Sequence, residues 1–258
     1  MGFRRLRIAI LLFLLVTVAL FTWQQRSRVA SWKQTLAVEI YPINGDGTPE
    51  VNRYLASLKA ETFASIGEFI GREAKAYGVA LDPAIEISLR DSIADLPPDP
   101  PPKSERFAVM VWSLKLRYWV FQHVSNYSLR SSTARVFVIY HKAERNKMLK
   151  HSLGLQKGLV GVVHAFAHPQ QQGMNNVVIA HELLHTFGAT DKYGPDNLPL
   201  YPDGFGEPGR EPRFPQEWAE IMGGRIMVSV NEAKMPESLG SCLIGPKTAA
   251  EINWPVSR

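Results

Sequence analysis

The chain has 258 residues, 45% of them hydrophobic, with one cysteine and a net charge of +5. That length supports one sizeable core, and the lone Cys242 excludes an internal disulfide and a cysteine-based metal site. Basic residues are spread along the chain without a Lys/Arg block, so nothing points to nucleic acid as a partner. Arg4, Arg5 and Arg7 precede residues 8–23, an apolar run whose only polar residues are Thr17 and Thr22. The run is apolar on every face and no small-x-small cleavage site follows it. This predicts a signal anchor over residues 1–23 with the N-terminus inside. The protein is then single-pass, with its folded part outside the cytoplasm; secretion after cleavage of a signal peptide is the alternative. Residues 24–34 read as a polar tether and 35–258 as the folded domain.

Residues 36–43, rich in Val and Ile, predict the first strand, and Asn44-Gly45-Asp46-Gly47 a turn. From about residue 49 to 77 apolar residues recur at three and four, Val51, Tyr54, Leu58, Ile66 and Ile70 among them. The spacing predicts one long helix closed by Gly78. Residues 84–89 predict a second strand, so the opening is a β-α-β unit with parallel strands. Residues 96–102, nearly all proline, form a stiff loop. Residues 105–124 predict a helix in which Lys115 and Arg117 argue against a membrane span. Residues 134–140 and 159–167 predict two further strands, with a charged stretch from His141 to Lys150 between them. His164 and His168 fall on or just after the last strand and read first as structural. Lys247 to Trp254 reads as a closing helix. The whole is an α+β fold: a small mixed sheet, a long N-terminal helix and a later helix that carries the chemistry.

That later helix holds His181-Glu182-Leu183-Leu184-His185, the H-E-x-x-H pattern of zinc-dependent peptidases. A helical residue turns about 100°, so a spacing of four returns both histidines to one face. Glu182 lies beside them, placed to bond a water rather than the metal, as a general base requires. Residues 174–187 contain no Gly or Pro, and Asn175 or Asn176 is a candidate cap. Gly188 ends the helix and lets the chain fold Asp191 back toward the histidines. Two histidines and a carboxylate leave a fourth zinc position open for chemistry. Glu220 competes with Asp191 as third ligand, but Pro212, Pro215 and Gly223-Gly224 leave little room there for a helix. Residues 193–216, rich in Pro, Gly and Tyr, form the loop after the ligands. Tyr193 and Tyr201 in it are candidates for binding substrate or stabilising an oxyanion.

The stretch 181–191 resembles the metzincin clan of zinc metallopeptidases, whose pattern is H-E-x-x-H-x-x-G-x-x-H. It departs at Asp191, and in this it is similar to the snapalysin type, where an aspartate is the third ligand. Asp191-Lys192-Tyr193-Gly194-Pro195 and Glu220-Ile221-Met222-Gly223-Gly224 carry the likeness, which covers the last third of the chain. The resemblance implies a zincin-like fold, Zn2+ as cofactor and a methionine beneath the metal. Met222 is the first choice because Gly223-Gly224 permits a tight turn, with Met227 the other candidate. The expectation is a membrane-tethered zinc endopeptidase acting on peptides or proteins. Alternatives are another zinc-dependent amide hydrolase, for example of cell-wall crosslinks, or a non-catalytic zinc-binding module.

Overall fold

The computed structural model describes residues 31–102, 105–124, 133–143, 152–155 and 159–256, together with Arg7, Leu12 and Phe13. Strands β1 (Leu36–Asn44), β2 (Ile85–Leu89), β3 (Ala134–His141), β4 (Leu153–Leu155) and β5 (Val160–Phe166) form one sheet in the order β2-β1-β3-β5-β4. The first four strands of that order form parallel ladders, and β4 joins β5 antiparallel. Among the described residues there are five α-helices: α1 (Pro49–Ser57), α2 (Ala64–Ala76), α3 (Arg106–His123), α4 (Gln172–Phe187) and α5 (Pro246–Glu251).

Both faces of the sheet are covered. Val38, Ile40, Val136, Val138 and Val163 share one buried cluster with Ile66 and Ile70 of α2 and Ile179 and Leu183 of α4. Tyr41, Phe137 and Ile139 meet Trp112, Leu116, Trp119 and Val120 of α3 on the other side. The expected α+β class is therefore corrected to α/β, a mixed five-stranded sheet between helices. The reason lies in β3, where the first seven residues, Ala-Arg-Val-Phe-Val-Ile-Tyr, are all buried. A strand buried on both faces belongs to a parallel sheet with helices on either side.

The expected membrane anchor is also corrected. Among the described residues no helix is long and apolar enough to cross a membrane, which conflicts with a single-pass protein. The longest, α3, carries Arg106, Lys115 and Arg117 in its 18 residues. Residues 1–23, on which the expectation rested, lie outside the described residues except for Arg7, Leu12 and Phe13. The end of the expected tether belongs to the folded domain. Trp32 is buried, donates its indole N–H to Ile252 O at 2.6 Å and packs edge-on against Phe187 and Trp254.

The single helix expected over residues 49–77 is two helices joined by a 3-10 turn, Ala60–Phe63. Leu58 is extended at φ −66°, ψ 139°, and Thr62 Oγ1 accepts from Lys59 N at 3.1 Å. Hydroxyls that bond nearby backbone compete with the helical ladder, and here they win over the apolar period. Residues 144–150 of the charged stretch fall outside the described residues.

Past α4, β6 (Ala219–Glu220) pairs with β9 (Cys242–Leu243), and β7 (Ile226–Met227) with β8 (Ala233–Lys234). β4 lies directly on α4. A Cβ on Gly154 would collide with Glu182 O and His185 Cβ, so only glycine allows this approach.

Candidate metal centre

The helix that carries the motif is clamped before it is capped. α4 begins after a 3-10 turn, Pro169–Gln171, whose cap is His168; its Nδ1 accepts from Gln170 N at 3.3 Å. Asn175 and Asn176, expected as caps, lie inside the helix and are buried. The Asn175 amide exchanges two bonds with the backbone of Phe166 on β5. Asn176 Nδ2 donates to Thr62 O and to Ser65 Oγ, both at 2.9 Å. These bonds fix the axial position and rotation of α4 against the sheet and α2. Gly188 ends the helix as expected, at φ 119°, and its N–H bonds the carbonyls of Leu184 and His185.

Beyond Gly188 the chain turns back. Asp191 Oδ1 lies 3.2 Å from His181 Nε2 and 3.1 Å from His185 Nε2. The two Nε2 atoms are 3.1 Å apart. Donor atoms of His181, Glu182 and His185 also lie within 4.8 Å of one another, but the tightest set of three is His181, His185 and Asp191. Burial alone would raise the Asp191 carboxyl. The bonds and charges of the two imidazoles outweigh it and hold that carboxyl well below the usual carboxylate range. Burial pushes His181 down, and Asp191 and Glu182 more than reverse it.

The tautomers follow from the other ring nitrogens. His181 Nδ1 faces Ile221 O at 2.9 Å and His185 Nδ1 faces Ala189 O at 2.8 Å. A carbonyl only accepts, so each Nδ1 carries a hydrogen; in the charged ring Nε2 carries a second, which bonds Asp191, and in the neutral ring Nε2 presents a lone pair. With both rings neutral, two imidazole lone pairs and one carboxylate oxygen converge on a small volume that could hold a cation. The donor set fits zinc. A tetrahedral ion with bonds of about 2.0–2.2 Å has ligand–ligand edges of about 3.3–3.6 Å. The three edges here lie within a few tenths of an ångström of that.

The turn after β6 completes the frame. Its Ile221 carbonyl sets His181, and its Met222 carbonyl accepts from Lys192 N at 2.9 Å, next to Asp191. Met222 is fully buried on this turn, and Gly224 at φ 71° closes it. Met227 is on β7, where its carbonyl accepts from Gln216 N. Glu220, the rival third ligand, is fully buried. Its Oε2 accepts from Met222 N at 2.6 Å and Gly223 N at 2.8 Å. Its Oε1 accepts from Gly245 N at 3.1 Å and Thr248 Oγ1 at 2.7 Å. The carboxylate is fully engaged in building the turn.

Tyr193 belongs to the centre: its ring lies over His181 at 6.2 Å and its hydroxyl bonds Asp191. Burial, then Asp191, push that hydroxyl up to about 12. Tyr201 belongs to the neighbouring loop, its ring beneath Arg213 at 4.1 Å and edge-on to Phe205. His164 lies on the opposite face of the sheet, the side of Val160 and Val162, with its Nδ1 2.9 Å from His141 Nε2. Three positioning groups carried no sequence signal: the carbonyls of Ile221 and Ala189, and the Lys192–Glu251 pair. A backbone carbonyl has no residue type to betray it. Neither a scan against protein-family models nor a search of curated proteins finds a match for the chain.

Proposed function

We propose that this protein is a zinc-dependent endopeptidase. The observation that carries the reading is the triangle of lone pairs from His181, His185 and Asp191, with edges of 3.1, 3.1 and 3.2 Å, beside Glu182. His181, His185 and Asp191 would hold the zinc, which would supply a Lewis acid for a scissile carbonyl and a bound water of pKa about 7. Glu182, 6% exposed and adjacent to both imidazoles, takes the proton of the attacking water and delivers it to the leaving amine. The Tyr193 hydroxyl stays protonated through the neutral range and, on turning its one hydrogen away from Asp191, donates to the oxygen that gains charge. Ile221 O and Ala189 O hold the imidazoles in the tautomer that keeps Nε2 available.

The test is incubation with an unstructured protein substrate, with and without chelator, for the native chain and Glu182→Gln. The native chain is expected to cleave, to stop on chelation and to resume with added zinc. Glu182→Gln is expected to bind one zinc per chain and to lose cleavage by at least about a hundredfold, the scale of general acid–base catalysis. Cleavage that is indifferent to chelator, or that survives Glu182→Gln near the native rate, overturns the reading.

A further inference from the structure

Among the described residues the Asp191 backbone makes no hydrogen bond; its two neighbours hold it in place. Thr190 N donates to Glu251 Oε2 at 2.8 Å, and Thr190 Oγ1 donates to Glu251 Oε1 at 2.9 Å. Lys192 Nζ donates to the same Oε2 at 2.7 Å, to Thr190 O at 2.7 Å and to Thr190 Oγ1 at 2.9 Å. All three ammonium hydrogens have an acceptor, and both carboxylate oxygens have donors, so the network is closed. Lys192 is 5% exposed, rare for a lysine unless it is paired. Its own backbone is pinned as well, N–H to Met222 O and carbonyl to Leu200 N.

We infer that Glu251, sixty residues beyond Asp191 in sequence, is a positioning residue for the third metal ligand. The inference rests on the metal-site reading above. Glu251 touches neither the histidines nor Asp191. Through Thr190 and Lys192 it fixes the peptide on both sides of Asp191, and with it the direction of the carboxylate. The pair Lys192–Glu251 is neutral as a whole, so its contribution is geometric and not a field on the metal. One turn earlier on α5, Thr248 bonds Glu220, which shapes the turn that holds His181. The two residues are three apart and share a face of the helix. A six-residue helix thus braces the segments that carry or position two of the three proposed ligands.

The experiment is zinc affinity by competition with a chromophoric chelator, for the native chain, Glu251→Gln, Glu251→Ala and Asp191→Ala. Cobalt(II) is titrated in parallel for its visible spectrum. Both Glu251 variants are expected to bind about tenfold to a hundredfold more weakly than the native chain, the range seen when groups that orient metal ligands are removed. Glu251→Gln, which keeps an acceptor for Thr190, is expected to lose less than Glu251→Ala. Both should shift the cobalt bands, a change that a merely structural residue would not produce. Glu251→Gln is the variant that keeps the test sound should Glu251→Ala fold poorly. Native affinity and native cobalt bands in Glu251→Gln and Glu251→Ala, beside a weakened Asp191→Ala, overturn this inference alone. A native chain that binds no zinc, or an Asp191→Ala that binds it unchanged, overturns the metal-site reading as well.

Discussion

At the residue scale, the centre separates two carboxylates that the sequence leaves in competition. Asp191 presents an oxygen to both imidazoles; Glu220 spends all its acceptor capacity on four donors of its own surroundings. Glu220→Ala therefore removes a buried acceptor from three backbone N–H groups and one hydroxyl. An orphaned buried donor costs about 1–3 kcal/mol, so the variant is expected to lose several kcal/mol of stability, read as a lowered midpoint in urea. An unchanged midpoint would contradict the role assigned to Glu220. Residue types and offsets made the meeting of His181, Glu182, His185 and Asp191 around the Gly188 stop legible, because the helix period and the short return after it are both local. The Glu220 network was not legible, since its donors come from positions up to 28 residues away and three of them are main chain.

At the scale of elements, α4 was placed by its apolar face and its Gly188 stop, and its start was misplaced by the two asparagines. Asn is a good cap in isolation, but two buried amides with tertiary partners are worth more than one local bond. Asn176→Ala deletes the bonds to Thr62 O and Ser65 Oγ, which join α4 to the segment entering α2. It is expected to cost about 1–3 kcal/mol, checked by chemical denaturation. The same variant should loosen zinc binding far less than Asp191→Ala, because the ligand triangle lies at the other end of the helix. The break at Leu58–Lys59 escaped the sequence reading for a related reason. Apolar period runs through the break undisturbed, and only the bond from Lys59 N to Thr62 Oγ1 marks the restart.

At the scale of the whole molecule, β1, β2, β3 and β5 were legible, and β4, the two-residue strands past α4 and the class were not. Those four strands announced themselves by Val or Ile, whereas β4 is Leu-Gly-Leu and β6 Ala-Glu, and α+β against α/β depends on which strands pair. β3 pairs with β1 and β5, from opposite ends of the sequence separation, and that is a property of the sheet. The C-terminal segment returns to brace the centre, and Cys242 on β9 offers a reporter for it. The thiol is fully buried, and burial pushes it up to about 12, so it is protonated and inert in the folded state. β9 pairs with β6, immediately before the turn that holds His181. Opening of this region is needed for a thiol reagent to enter. A ligand that binds only the closed form slows such opening by mass action. Labelling by an aromatic disulfide reagent is expected to be slow with zinc and to accelerate by at least about tenfold on chelation. Equal rates in both conditions would show that metal and C-terminal segment are not coupled.

Gly154 sets the clearance between β4 and the helix beneath it. The strand rests on the carbonyl of Glu182 and the Cβ of His185, two contacts on the very turn that bears the proposed base and a proposed ligand. Its missing methyl acts as a shim of zero thickness. Any other residue at 154 would lift the strand or push the turn, and the helix is tied down at Asn175 and Asn176. The displacement would then fall on the strand or on His185. A residue that touches no metal, substrate or proton thereby holds a dimension of the centre, and a change as slight as one carbon atom would be felt there first.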